Sequence, residues 1–479
     1  MNKIFLLLFF AAGSIFPQFL HPDSLKFAEL NWKIPDGKNY RKTIGKIPFY
    51  YEKDNSVGIF YLQLSFEAGN LLENPQPKGA SQLYSMSIRN GGSKKFSPAQ
   101  IDSLLALNAV SIFVYNEANR TDFIVSGLSE NKKTAFEIFE DILQNPLFDS
   151  ARIAINAAKL KQNITHRFDN PSNLLSAAWK SLIYPQTPVS ELLSMDFAEN
   201  IMKNDLLQYH KYLMQDAKMI VAASGDIDEN TVKSFVEKNF GKKRNENSRS
   251  FPEIKTAQNP QTIIIHKDGL NQSYVKTGLP SFKRPDNRYY PLTIFNEILG
   301  GGFNSRLVSR IRSDEGLTYS IYSMFGSDYR FASTFSTQFF TKIENTNHAL
   351  ALTREIVENT VNEKFLPDET NEKIEQFILS LPSIFRTSED RVSTFLKNEF
   401  DGGKSNHYIE YENELRTISA DSVGLEVKKF FDKKQFFTVI VTDTSMLKNL
   451  PEYNGFSIEK LNPKIIDAHY FEKNSGKLE

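Results

Sequence analysis

The sequence predicts an α+β fold built as an internal repeat of two similar units. Strand-like and helix-like periodicities alternate along almost the whole chain. A polar, aperiodic break at 242–259, rich in Lys, Arg, Asn and Ser and flanked by prolines, divides the chain near its middle. Two apolar strands, 221–226 and 439–443, occupy like places in the two halves, each just after a helix rich in Lys and Phe or Tyr. The length of 479 residues agrees, since roughly 150 residues per domain gives two or three domains.

In the first half, 47–52 and 57–66 read as strands, closed by Lys53-Asp54-Asn55 and Ala68-Gly69. Residues 78–90 carry Leu83, Met86 and Ile88 at helical spacing and stop at Gly91-Gly92. Ser97-Pro98 caps and opens a second helix. Strands at 110–115 and 122–128 lead into an amphipathic helix at 131–144 that Pro146 ends. Helices at 151–165, from Pro171 to about 183 and at 205–213 precede the strand 218–224 and the helix 229–240. The linker is drawn at 245–259, between domains at 25–244 and 260–450, with 451–479 as a C-terminal tail.

The second half repeats the scheme: strands at 263–266 and 272–279, then a helix at 288–299. Next comes the densest cluster of unusual residue choices, GGGFNSRLVSRIRSDEGLTYSIYS at 300–323. Gly300, Gly301 and Gly302 suit a tight turn, and Asn304 or Ser305 can cap a helix whose apolar face is Leu307, Val308 and Ile311. Gly316 ends it, and 317–323 alternates as a strand with Leu317, Tyr319 and Ile321 on one face. Arg312 and Tyr319 then flank one corner. On composition alone the plainer reading is a local salt bridge for Arg312, a core position for Tyr319 and glycines that only turn the chain. A strand at 332–340, helices at 346–362, 367–381 and onward to 398, and a strand at 436–442 complete the order.

Composition excludes several classes of function. Lys plus Arg and Asp plus Glu both total 57, so no global charge favours nucleic acid or an anionic membrane. The 39 Phe residues are first of all packing material. With no Cys there is no disulfide, thiolate metal site, cysteine nucleophile or lipid-anchoring cysteine. Lys3, the short apolar run 4–12 and the small residues that follow predict a signal peptide at 1–18, and no other segment approaches membrane-spanning length. No two of the seven histidines lie within one helical turn, which removes HExxH and its inverse; lone residues such as His166 and His210 read as structural. GxSxG is absent, and the glycine turn lacks the Lys and Ser or Thr of a phosphate loop.

The 300–323 segment resembles, nearly residue for residue, the second-domain signature of the pitrilysin, insulinase and mitochondrial processing peptidase family of inverted zinc peptidases. Phe66-Glu67-Ala68-Gly69, Asn145-Pro146-Leu147-Phe148, Gly225-Asp226-Ile227 and Asn239-Phe240-Gly241 support it over nearly the whole mature chain. The resemblance implies two homologous tandem domains of the LuxS/processing-peptidase type. Each is a mixed, mostly antiparallel sheet packed with helices, and together they enclose a peptide-binding chamber. It also implies that Arg312 and Tyr319, with the turn Gly300–Gly302, hold the substrate backbone and the carbonyl oxygen under attack.

The first domain departs from that family. The zinc motif HxxEH should fall within Gly79-Ala80-Ser81-Gln82-Leu83-Tyr84-Ser85-Met86, so Gln82 and Met86 stand at the His positions and Ser85 at the catalytic Glu. No shift of alignment restores it, because no His lies between His21 and His166. The downstream carboxylate position matches Asn156 or Asn163. The resemblance therefore implies a zinc-free chain of the non-catalytic subunit type, with zinc held by a homologous HxxEH-bearing partner in a heterodimer. Peptide substrates and export to a bacterial periplasm follow as expectations. A structural or peptide-binding pseudo-peptidase without any role in catalysis is the alternative.

Overall fold

The computed structural model describes residues 32–73, 77–241, 249–448 and 450–478. The expected signal peptide and residues 245–248 of the expected linker lie outside the described residues. In the first half the strands are β1 (Arg41–Ile44), β2 (Ile47–Lys53), β3 (Ile59–Phe66), β4 (Val110–Asn116), β5 (Thr121–Leu128) and β6 (Met219–Gly225). The second half adds β7 (Thr262–His266), β8 (Gln272–Pro280), β9 (Ile321–Phe325), β10 (Thr334–Lys342), β11 (Phe437–Thr442) and β12 (Lys464–Asp467).

The two sheets run β1-β2-β6-β3-β5-β4 and β12-β7-β11-β8-β10-β9. Apart from the first edge strand, the orders match position by position. In each half the early strand pairs in parallel with the late one (β2 with β6, β7 with β11), and the other internal pairs are antiparallel. The edges are filled from opposite ends of the chain: β1 pairs antiparallel with β2, whereas β12 pairs parallel with β7. Residues 451–479 are therefore not a tail, since they supply β12 and the helix Ala468–Lys473, whose Phe471 is fully buried.

Strand alternation sends one face of each sheet into its own half. Phe60, Leu62, Leu64 and Phe66 of β3 join a core with the helices Ala80–Ser87 and Lys132–Gln144. Burying each such side chain contributes about 1.5–3 kcal/mol. The opposite faces are covered across the halves. The helix Pro171–Ile183 packs on β11 and β8, placing Leu174, Ala178 and Trp179 against Ile263, Ile265 and Val439. Reciprocally, the helix Ser388–Phe400 packs on β2 and β6.

Paired charges tie this exchange. Arg391 makes two 2.7 Å contacts to Glu52, and Glu399 accepts from Arg41 at 2.8 Å and from the Tyr50 hydroxyl. The described part of the expected linker is docked rather than free: Arg249 lies over the Tyr212 ring, and Phe251 stacks on Phe331. No helix of the described residues is long and apolar enough to cross a membrane.

Candidate functional site

The helix Tyr289–Asn296 continues into a wider, π-type turn at Glu297–Gly301, and a second π-type segment spans Val308–Asp314. Such wide turns are uncommon and cluster at functional sites. Between them the chain presses on β9: a Cβ on Gly300 would sit 2.6 Å from the Ser323 backbone N and 2.8 Å from Leu307. Only glycine fits there. Gly316, at φ +62°, ends the second segment as its sequence position predicts. The expected side-chain cap is absent, because the Ser305 hydroxyl is buried without a hydrogen-bond partner among the described residues.

The strand expected at 317–323 starts later, at Ile321, and the expected common face of Leu317, Tyr319 and Ile321 does not form. Thr318 is the reason. Its hydroxyl donates to Phe340 O at 2.5 Å, and the Thr341 hydroxyl donates to Leu317 O at 2.7 Å, so side chains occupy groups a strand ladder would use. Leu317 and Ile321 are buried, whereas Tyr319 is 76% exposed.

Arg312 lies between two exposed rings. Its guanidinium carbon is 4.8 Å from the centre of Tyr319 and 5.7 Å from that of Phe303, which is 82% exposed. Neighbouring cations are neutralised: Arg306 pairs with Glu363 and Glu369, and Arg310 with Asp314 and Glu315. Arg312 makes no ion pair or hydrogen bond among the described residues, which rules out the local salt bridge. Phe303 escaped the sequence reading. Its one signal is a large aromatic following three glycines, where no apolar periodicity calls for it.

The positions expected to match the zinc motif fall on the helix Ala80–Ser87. Gln82 is exposed, the Ser85 hydroxyl donates to Gln82 O at 2.9 Å, and Met86 packs against the core. Gly79 at the helix start has no side chain to cap it, and Glu73 does so from outside, accepting from Gly79 N, Ser81 N and the Ser81 hydroxyl. Burial nevertheless pushes the Glu73 carboxyl up.

On the helix Ser150–Thr165, Asn156 is buried and its amide donates to Met86 O at 2.9 Å and to Ser87 and Asn90 at 3.1 Å; Asn163 is exposed. This donor set does not fit zinc: it offers neutral amide, hydroxyl and thioether groups, with no imidazole or carboxylate among them. His210 is structural, its Nε2 donating to Leu143 O at 2.9 Å.

One cluster among the described residues, His266, Asp268 and Asp443, has ligand-type spacing. Its groups are internally satisfied. Thr444 N–H donates to His266 Nδ1, leaving the proton of the neutral ring on Nε2, which faces Asp268 at 3.0 Å. Asp443 accepts from Gly269 N and Ser445.

Two family models match adjoining stretches: Insulinase (Peptidase family M16) at 49–196, and Peptidase M16 inactive domain at 200–377. The chain belongs to the insulinase (M16) peptidase family. Among its insulinase-family relatives is the "Non-peptidase homolog YmxG" of Helicobacter pylori, 24% identical over 83% of this chain and 92% of that protein. The "Uncharacterized zinc protease YmxG" of Bacillus subtilis is 23% identical over 79% and 92%. The fold matches the crystal structure of a peptidase M16 inactive domain from Pseudomonas fluorescens, with TM-score 0.73, 17% identity and coverage of 85% and 97%. It also matches the periplasmic protease PqqL from Escherichia coli, with TM-score 0.70, 15% identity, and coverage of 89% of this chain and 48% of that one. The tandem sheets are thus the insulinase-family pair of domains.

Proposed function

We propose that this chain is an exported, zinc-free pseudo-peptidase subunit. It pairs with a homologue bearing HxxEH and contributes Arg312 and Tyr319 to peptide hydrolysis, the zinc residing in that partner. The observation that carries this reading is the Phe303–Arg312–Tyr319 stack, in which the guanidinium is held by rings and has no carboxylate partner among the described residues. An exposed, preorganised guanidinium and phenol are donors suited to a peptide carbonyl and to the oxyanion it becomes. Support comes also from the replaced motif residues Gln82, Ser85 and Met86, the "non-peptidase" name of one relative and the "inactive domain" match. The signal-like N-terminus and the periplasmic neighbour support export.

The test is to co-purify the chain with an HxxEH homologue and assay peptide cleavage by the pair. Arg312→Ala and Tyr319→Phe should each lower kcat by about 10²-fold, the scale of losing one oxyanion donor. Size-exclusion profiles should stay unchanged, because both side chains leave the core untouched. Full activity of both variants with assembly intact refutes the reading. Peptide binding with no active partner would favour a binding pseudo-peptidase instead.

A further inference from the structure

A cavity that none of Phe303, Arg312 and Tyr319 lines lies where the helices Thr346–Asn362 and Ala420–Phe431 meet the starts of β7 and β11. Its volume is about 940 Å³, and it is lined by Arg354, Lys428, Lys433 and Lys434, against only two carboxylates, Glu358 and Asp432. In a chain of zero formal net charge this is a local concentration of positive charge.

Arg354 is the centre of the argument. It is half-buried, its guanidinium carbon 5.9 Å from the centre of Phe436 and 5.7 Å from that of Phe456. It makes no hydrogen bond or ion pair among the described residues; Glu358, one helical turn on, is not within ion-pair reach. Burial alone lowers its pKa, and no neighbouring carboxylate opposes the shift. Such a guanidinium is costly to keep without a counter-charge.

The internal repeat sharpens the point. Three residues join the helix Lys203–Gln215 to β6, whereas five join Ala420–Phe431 to β11, and Lys433 and Lys434 lie in that longer loop. Lys433 is held at φ +52°, a conformation non-glycine residues rarely adopt. Lys428, Lys433 and Lys434 likewise have no carboxylate partner among the described residues, although Lys434 rests over the Phe430 ring.

We infer that this cavity binds a small anion carrying several phosphate oxygens. Arg354 engages it in a planar fork, and the three lysines neutralise its remaining charge. A planar fork fits the paired oxygens of a phosphate or a carboxylate, four cations without a carboxylate partner among the described residues favour the more highly charged phosphate, and a concave cavity keeps a flat lipid surface from Arg354. This site is independent of the Arg312 corner and of any peptidase partner.

The probe is inorganic pyrophosphate, titrated calorimetrically into the full chain at low and high salt. Saturable binding that weakens with salt is expected, together with a rise in Tm. Arg354→Gln should weaken binding about tenfold or more, the scale of losing hydrogen bonds to a charged group. Because Arg354 is half-buried, the double variant Lys433→Gln/Lys434→Gln, at two exposed positions, is the folding-neutral control and should also weaken binding. Glu358→Gln should tighten it. The inference is overturned by no saturable binding at about 1 mM, or by undiminished affinity in the folded double variant. Capture by phosphatidylglycerol vesicles without pyrophosphate binding would also overturn it.

Discussion

Acid should unfold this protein through His210, a residue far from any proposed chemistry. His210 sits on the helix Lys203–Gln215, is 9% exposed, and packs against Tyr84 and Phe148. Its Nε2 donates to Leu143 O, and its Nδ1 accepts from the Tyr84 hydroxyl at 2.8 Å. Protonating Nδ1 would take away the acceptor of the Tyr84 hydroxyl and place a positive charge in a closed, largely apolar site. Burial accordingly pushes the His210 pKa down from 6.5 to about 4. The unfolded chain takes up this proton as pH falls through 6.5, whereas the folded chain does so only near 4. The stability is therefore fully present above 6.5 and is lost as pH falls through that window. At ~1.36 kcal/mol for each pH unit, the gap amounts to about 3 kcal/mol.

His407 is pushed down to about 4 as well, by burial and then by Arg284, and adds its own acid sensitivity. Comparing the wild type with His210→Gln isolates the first group, because everything else is common to both proteins. The assay is urea unfolding from pH 7 to pH 4. The variant should be about 1 kcal/mol less stable at pH 7, from the imperfect hydrogen bonds of the amide. That deficit should then close and reverse as pH falls towards 4. Parallel profiles for the two proteins across the window would refute the reasoning.

Two further predictions concern the two corners of the insulinase-family frame. Gly300→Ala places a methyl 2.6 Å from the Ser323 backbone and forces β9 to move, so it should lower stability by about 1–3 kcal/mol and reduce peptide cleavage by the pair, read by unfolding and by activity. Asn156→Ala leaves Met86 O, Ser87 and Asn90 without their donor and should lower stability by about 1–3 kcal/mol in the same unfolding assay.

Much of the fold was legible because periodicity and punctuation are local. Pro98, Pro146, Gly225 and Gly316 act within a turn of where they stand, and the apolar runs of β6 and β11 signalled buried central strands in both halves. The start of β9 was not legible, because Thr318 gives its hydroxyl to Phe340, a partner 22 residues away that no local pattern names. The short β1 and β12 were missed for a related reason: four-residue edge strands carry too little alternation to register. The candidate site was half legible. Residue identity alone shows that no His lies between His21 and His166, whereas the exposure of Tyr319 and the position of Phe303 depend on how the chain turns.

By itself the sequence determined the repeat and the absence of any His-rich motif between His21 and His166, since these rest on residue identity and local spacing. Tertiary structure alone decided which helix covers which sheet, with Pro171–Ile183 serving the second half and Ser388–Phe400 the first. It also decided that Arg312, among three nearby arginines, keeps its donors free. The physical reason is common to both. An amphipathic helix specifies that it must bury a face but not which sheet receives it, and a guanidinium specifies that it needs a partner but not whether folding brings one within reach.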